Sequence, residues 1–142
     1  MSNTDNKELM RKMYEFTNTY EGNPARLRSV YETYATPEYV YHHLFKGDMN
    51  REGCIQYMTG ALAAFPDAIY TVDDIMAEGD KVTIRYTMQA THKGSFAGFA
   101  PTGKKITAKG VEIDRIEEGK IAETWDFPDY LSLLRQMRAI RG

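Results

Sequence analysis

Two periodicities divide this chain. Apart from one short extended stretch, apolar residues up to Phe65 recur every three or four positions, and beyond it they alternate. The first segment carries Asp5 and Glu8 at capping-box spacing, followed by a stripe of Leu9, Met13, Phe16 and Tyr20, and Gly22 ends it. Asn23 is placed to cap a second helix with Pro24 at its first position. Leu27, Val30, Tyr31 and Tyr34 form its stripe, and Pro37 ends it. Residues 39–44, rich in Tyr and Val, predict a short strand. Asn50 can cap a third helix whose Ile55, Met58, Leu62 and Phe65 share a face, before Pro66-Asp67 breaks it.

The alternating half predicts a strand at 69–76, a turn at Glu78-Gly79-Asp80, and a long strand at 81–92. Val82, Ile84, Tyr86, Met88, Ala90 and His92 share one face of that strand. A Gly/Pro-rich loop follows at 93–103, then a hairpin of 104–116 and 120–127, then a helix opening at Pro128 with Leu131, Leu134 and Met137 on one side. Helices first and consecutive strands later predict an α+β fold with a curved, mostly antiparallel sheet, not a βαβ nucleotide fold. There is no GxGxxG after a strand and no Walker motif. Such a sheet packed on helices makes a cone with a cavity between them.

The hairpin is the most informative element. Glu117-Glu118-Gly119 fits a type I turn closed by a left-handed Gly. Ile116 would then pair with Lys120, Asp114 with Ala122, Glu112 with Thr124 and Gly110 with Asp126. Glu112, Asp114, Thr124 and Asp126 would share one face, with Val111, Ile113, Ile121 and Trp125 on the other. A one-residue slip would turn a strand over.

Composition adds little beyond permission. The 142 residues suit one domain, which buries about 68–70% of its unfolded surface. Hydrophobic residues are 42%, charged residues 27% and the net charge is −2, with no Lys/Arg run to suggest nucleic acid or a membrane surface. The N-terminal residues 1–7 show no apolar signal core and no apolar run reaches about 18 residues. A cytoplasmic protein is expected. The single Cys54 excludes an internal disulfide and sits among apolar neighbours as a buried small hydrophobe. Ten Tyr and six Phe suit either a core and dimer surface or the wall of a pocket for a partly polar ligand.

Five residues are candidates for chemistry. Asp126 is either a helix-capping Asp or a carboxylate in an apolar cone, where burial raises its pKa into the range of acid/base work. Glu112 is either a second cavity carboxylate or half of a structural pair with Lys109, Arg115 or a histidine. His42 and His43 face opposite ways on a strand, so one can enter the cavity. His92 ends the long strand. The three histidines match no zinc spacing such as HExxH, so no metal is expected. No GxSxG elbow appears.

From Phe65 onward the chain resembles the SnoaL-like polyketide cyclase (ester cyclase) family, within the nuclear-transport-factor-2-like (cystatin-like) superfamily. The resemblance lies in Phe65-Pro66-Asp67, Glu78-Gly79-Asp80-Lys81-Val82, Thr91 through Gly98, Ala100 through Lys104, Gly119-Lys120-Ile121, Glu123 through Tyr130, and Leu134 through Met137. It extends more weakly to the N-terminus. It implies a cone-shaped α+β barrel, a homodimer through the open sheet face, and no cofactor. It implies aldol-type ring closure, with an Asp at the position of Asp126 taking a proton next to a carbonyl of a small organic ligand. An assisting His of those cyclases falls on Glu112, and a pocket Asn near Tyr57. A pocket His of the broader group matches His42, and another matches His92. Where many members have His after Glu, this chain has Thr124. Asp126, His92, His42 and Glu112 are thus the expected catalytic set. Tyr14, Tyr57, Tyr86, Met88, Phe96 and Thr124 are expected to bind the ligand. The same residues also fit a non-catalytic small-molecule binding protein.

Overall fold

Helix α1 (Asn3–Thr17) starts earlier than the Asp5/Glu8 spacing predicts, because Ser2 caps it and Asp5 closes the box back onto the Ser2 amide. The computed structural model describes residues 2–138. Moving the start also moves the face: Asn6, Met10 and Tyr14 are buried, and Leu9, Met13 and Phe16 only flank them. Helix α2 (Pro24–Tyr34) has Asn23 as cap and Pro24 at its start, with Leu27, Val30 and Tyr31 inward. Helix α3 (Arg51–Leu62) is capped by Asn50, whose side chain accepts from the Gly53 amide.

Six strands form one sheet in the order β2-β1-β6-β5-β4-β3. They are β1 (Ala35–His43), β2 (Gly47–Asn50), β3 (Ile69–Glu78), β4 (Lys81–Thr91), β5 (Lys105–Glu117) and β6 (Lys120–Pro128). All pairs are antiparallel except β1 with β6. Strand β2 was not foreseen: it holds four residues, too few for an alternating signal. Strand β1 begins at Ala35 and runs through Pro37. The closing helix α4 (Tyr130–Gln136) is capped by Asp129 rather than opened by Pro128, and buries Leu133 while Leu131 is exposed.

The hairpin differs from its prediction in an instructive way. Glu118 and Gly119 both have positive φ (50° and 76°), so the turn is a two-residue one flanked by Glu117 and Lys120. Ile116 pairs with Ile121, and a bulge at Ala122 then sets Arg115 opposite Glu123 and Asp114 opposite Thr124. The turn displaces the register by one residue and the bulge by another. Together they restore the face, so Glu112, Asp114, Thr124 and Asp126 still point the same way. Ile121 lies between the two shifts and is turned inward, fully buried, contrary to expectation.

One face of the sheet is covered. Val82, Ile84, Tyr86, Met88 and Ala90 of β4 are all buried, and they pack with Met10, Leu27, Val30 and Ile55 of the helices. The helices do not close onto the centre of this face, and the site lies in the space left there.

Candidate active site

The central strands aim two carboxyls, Glu112 and Asp126, into one space, with a third, Asp114, buried beside them. Glu112 of β5 and Asp126 of β6 are direct cross-strand partners, and Asp114 lies two residues from Glu112 on the same face. The cavity has a volume of about 130 Å³. Its walls include Tyr14, Tyr41, Tyr57, Tyr70, Tyr86 and Tyr130, together with Met88, Phe65 and Phe96. Among the described residues, no Lys, Arg or His side chain is part of the wall.

Every carboxyl has a hydroxyl donor. Asp126 accepts from Tyr86 at Oδ1 and from Tyr41 at Oδ2, both at 2.8 Å. Glu112 accepts from the Tyr14 phenol. Asp114 accepts from Thr124 Oγ1 at 2.6 Å, and Thr124 accepts from Tyr39 at 2.7 Å. The second oxygen of Asp114 has no partner among the described residues.

The electrostatics follow from burial. Removal from water raises the pKa of Asp126, and the Tyr86 and Tyr41 hydrogen bonds pull it back. Glu112 is raised further, by burial first and then by the neighbouring Asp114 and Asp126 charges, with only Tyr14 opposing. Asp114 is raised by burial to about 8 against its Thr124 hydrogen bond. Asp126 and Glu112 retain some accessible surface, and both line the cavity. Water in the cavity therefore moderates these shifts and an apolar ligand intensifies them. The Tyr14, Tyr41 and Tyr86 phenols are pushed up by burial and by these carboxylates, so they stay protonated as donors.

The structure brings together Asp126, Glu112 and all six of the expected ligand-binding residues around the cavity. Asp126 does not cap α4, and among the described residues Glu112 is not paired with a base; Arg115 pairs instead with Glu123 at 3.0 Å. The two histidines lie elsewhere. His42 is on the outer sheet face, stacked on Trp125 and hydrogen-bonded to Asp48 at 2.6 Å and Glu123 at 2.5 Å. The inward positions of β1 are Tyr39, Tyr41 and His43, because burial alternates with the strand. His92 is completely buried behind Phe65 (ring centroids 5.7 Å apart), and its Nδ1 accepts from the Thr102 amide at 3.2 Å.

Alternation left His42 and His43 open and the family resemblance chose His42, but it is His43 that turns inward. Its Nδ1 accepts from the amides of Phe45 and Lys46, both at 3.0 Å, which puts the ring proton on Nε2. Nε2 lies 2.8 Å from the Tyr57 hydroxyl and 3.2 Å from that of Tyr130. Burial and then Lys46 lower its pKa, so the ring is neutral at pH 7. The signal was available in Tyr39 and Tyr41, whose parity His43 shares and His42 does not. Among the described residues, no group of three His, Cys, Asp or Glu side chains is arranged to hold a metal ion. No described helix is long and apolar enough to cross a membrane.

A domain of this topology, with carboxyls facing the hollow between sheet and helices, defines a class, and comparison places the chain within it. Residues 7–137 match the SnoaL-like polyketide cyclase family, and the chain belongs to that family. It is similar to the aklanonic acid methyl ester cyclase DnrD of Streptomyces peucetius, with 32% identity over 59 residues, 42% of this chain and 41% of that one. The match thus spans well under half of that cyclase. Among solved structures, AclR from Streptomyces galilaeus, described as a candidate hydroxylase, superposes with TM-score 0.86 at 31% identity, covering 99% of this chain and 100% of that one. IdmH from Streptomyces antibioticus, described as a candidate polyketide cyclase, gives 0.77 at 28%, covering 94% and 98%.

Proposed function

We propose that this protein is a cofactor-independent acid/base enzyme of the cyclase type, acting next to a carbonyl. Relatives described as a cyclase and as a hydroxylase share the fold, so the side chains decide the chemistry. The observation that carries the reading is Asp126: a carboxylate facing the cavity and held by two phenols.

The steps follow from the donor pattern. Asp126, with two donors, is the carboxyl best held as an anion. It takes the proton from the carbon beside the carbonyl, and that electron pair becomes the enolate. Tyr57 and Tyr130, polarised by His43, face the cavity as donors to the enolate oxygen. The enolate carbon then attacks a second carbonyl of the same molecule, and the new alkoxide takes a proton from Glu112. Glu112 suits that role because burial and its neighbours raise its pKa and so favour the acid form. Size limits the ligand. A cavity of about 150 Å³ holds one benzene, so about 130 Å³ between these walls admits one ring, and a polycyclic substrate would lie partly outside.

The test is α-proton exchange, which needs no knowledge of the natural substrate. Wild-type protein should speed deuterium exchange at the α-carbon of a one-ring ketone such as propiophenone. Asp126→Asn should lose about 10²–10⁴-fold, the usual worth of a positioned base. Equal rates in the two proteins would remove Asp126 from the chemistry. Carboxyl titrations of Asp126 and Glu112 both near the ordinary value of about 4 would favour a small-molecule carrier instead.

A further inference from the structure

Tyr86 and Asp126 are not on neighbouring strands. Tyr86 is on β4 and Asp126 on β6, with β5 between them. Tyr86 pairs with Gly110, and Gly110 pairs with Pro128, two residues beyond Asp126 on the same face. The phenol therefore lies across β5 above Gly110 to reach Asp126 Oδ1 at 2.8 Å. A Cβ at position 110 would stand 2.6 Å from Tyr86 Cζ, well inside van der Waals contact.

We propose that Gly110 is a positioning residue: its missing side chain is the passage through which Tyr86 reaches across β5 to the Asp126 carboxylate. A strand interior is otherwise a poor place for Gly, which gives up backbone entropy and packs nothing. Gly110 does not have the left-handed conformation that would require it, since it is not among the positive-φ glycines. Its requirement is steric. Two rival roles exist. An aromatic ring over a strand Gly shields the sheet backbone, which is a stability role. The Pro128 Cα would also lie 3.0 Å from the added Cβ, which would make the Gly a need of the β5–β6 backbone.

The consequence is chemical. The Tyr86 hydrogen bond is one of two that pull the pKa of Asp126 back down against burial. Without it, the same carboxylate is a neutral acid over a wider pH range. That this matters for turnover rests on the proposed function; the effect on Asp126 does not. The other titratable groups facing Asp126 are Glu112 and Asp114 on β5, Tyr41 on β1, Tyr70 on β3, Tyr14 on α1, Cys54 and Tyr57 on α3, and Tyr130 on α4. All are retained in the variants below.

The experiment is NMR titration of the Asp126 carboxyl in carbon-13-labelled protein. Tyr86→Phe should raise its midpoint by about one to two pH units, the worth of one hydrogen bond to a charged group. Gly110→Ala should raise it by the same amount, and the double variant should go no further. A wild-type midpoint in Gly110→Ala, or an added shift in the double variant, would overturn the proposal. If Gly110→Ala does not fold, it is combined with Tyr86→Leu, which removes the atoms that collide. Recovery of cooperative unfolding supports the passage. Failure to recover overturns it and assigns the Gly to the Pro128 contact. Because the readout is a titration, it stands whether or not Asp126→Asn alters proton exchange.

Discussion

Replacing Asp114 with Asn should change how stability depends on pH. Asp114 is 1% exposed, accepts one hydrogen bond from Thr124, and has a second oxygen with no partner among the described residues. Burial lifts its pKa from the ordinary 3.8 to about 8, with a smaller contribution from the Asp126 charge. Between those values the unfolded chain gives up a proton that the folded chain keeps. The folded state binds more protons there, so stability falls as pH rises, at about 1.4 kcal/mol per pH unit for one group. The full interval would amount to about 6 kcal/mol, and relaxation with water entry reduces a realistic loss to about 3 kcal/mol. Asn does not titrate. At pH 4 it should match wild type closely, because a protonated Asp also leaves its second oxygen unpartnered. By pH 8 the Asn variant should be the more stable by about 3 kcal/mol. Urea denaturation at half-unit pH steps reads this as a widening gap between the two proteins. Glu112 and Asp126 titrate in both, so the difference isolates Asp114 to first order. A gap that stays constant from pH 4 to pH 8 would refute the reasoning, since Asp114 would then ionise alike in both states.

Two further outcomes follow from features outside the cavity. The His42 pKa is lowered by burial but raised more by its Glu123 and Asp48 hydrogen bonds, with a net rise above 6.5. Its stabilisation is therefore present below pH 6.5 and lost as pH rises through the folded value. Glu123→Gln should bring the ring titration back toward 6.5 by NMR, at a stability change under about 1 kcal/mol below pH 6. Ile84→Ala deletes a side chain with no exposure at the centre of β4 and should cost about 2–5 kcal/mol by urea denaturation.

The fold was legible where one physical signal dominated. Asn23-Pro24 and Asn50 mark helix starts through cap chemistry, and both helices start there. The alternation in β4 places five side chains inward without ambiguity. The site was legible only through the hairpin, and through two cancelling errors. A turn of two residues instead of three would have turned β6 over, and the bulge at Ala122 turned it back. Neither leaves a periodic trace, because each is a single-residue event. The histidines were harder for a different reason. His42 and His43 are chemically equivalent in sequence, and only the parity of Tyr39 and Tyr41 distinguishes the inward one. His92 has the inward parity of β4, yet Phe65 of the segment after α3 stands against it. That contact joins residues 27 positions apart, and alternation along one strand carries no information about it.

The number of donors explains why three carboxyls of one face can have different duties. All three are largely removed from water, and burial pushes the pKa of each upward. Hydrogen bonds to the charged form are the opposing influence, and they are distributed unequally. Asp126 receives two phenols, while Glu112 and Asp114 receive one hydroxyl each. Like charges this close do not ionise together readily, so the first proton lost comes from the carboxyl with the most donors. Ionised Asp126 then holds Glu112 and Asp114 in their acid forms. A base and an acid on one face thus arise from a two-to-one difference in phenols, and the second of those phenols reaches its carboxylate only because Gly110 leaves it room.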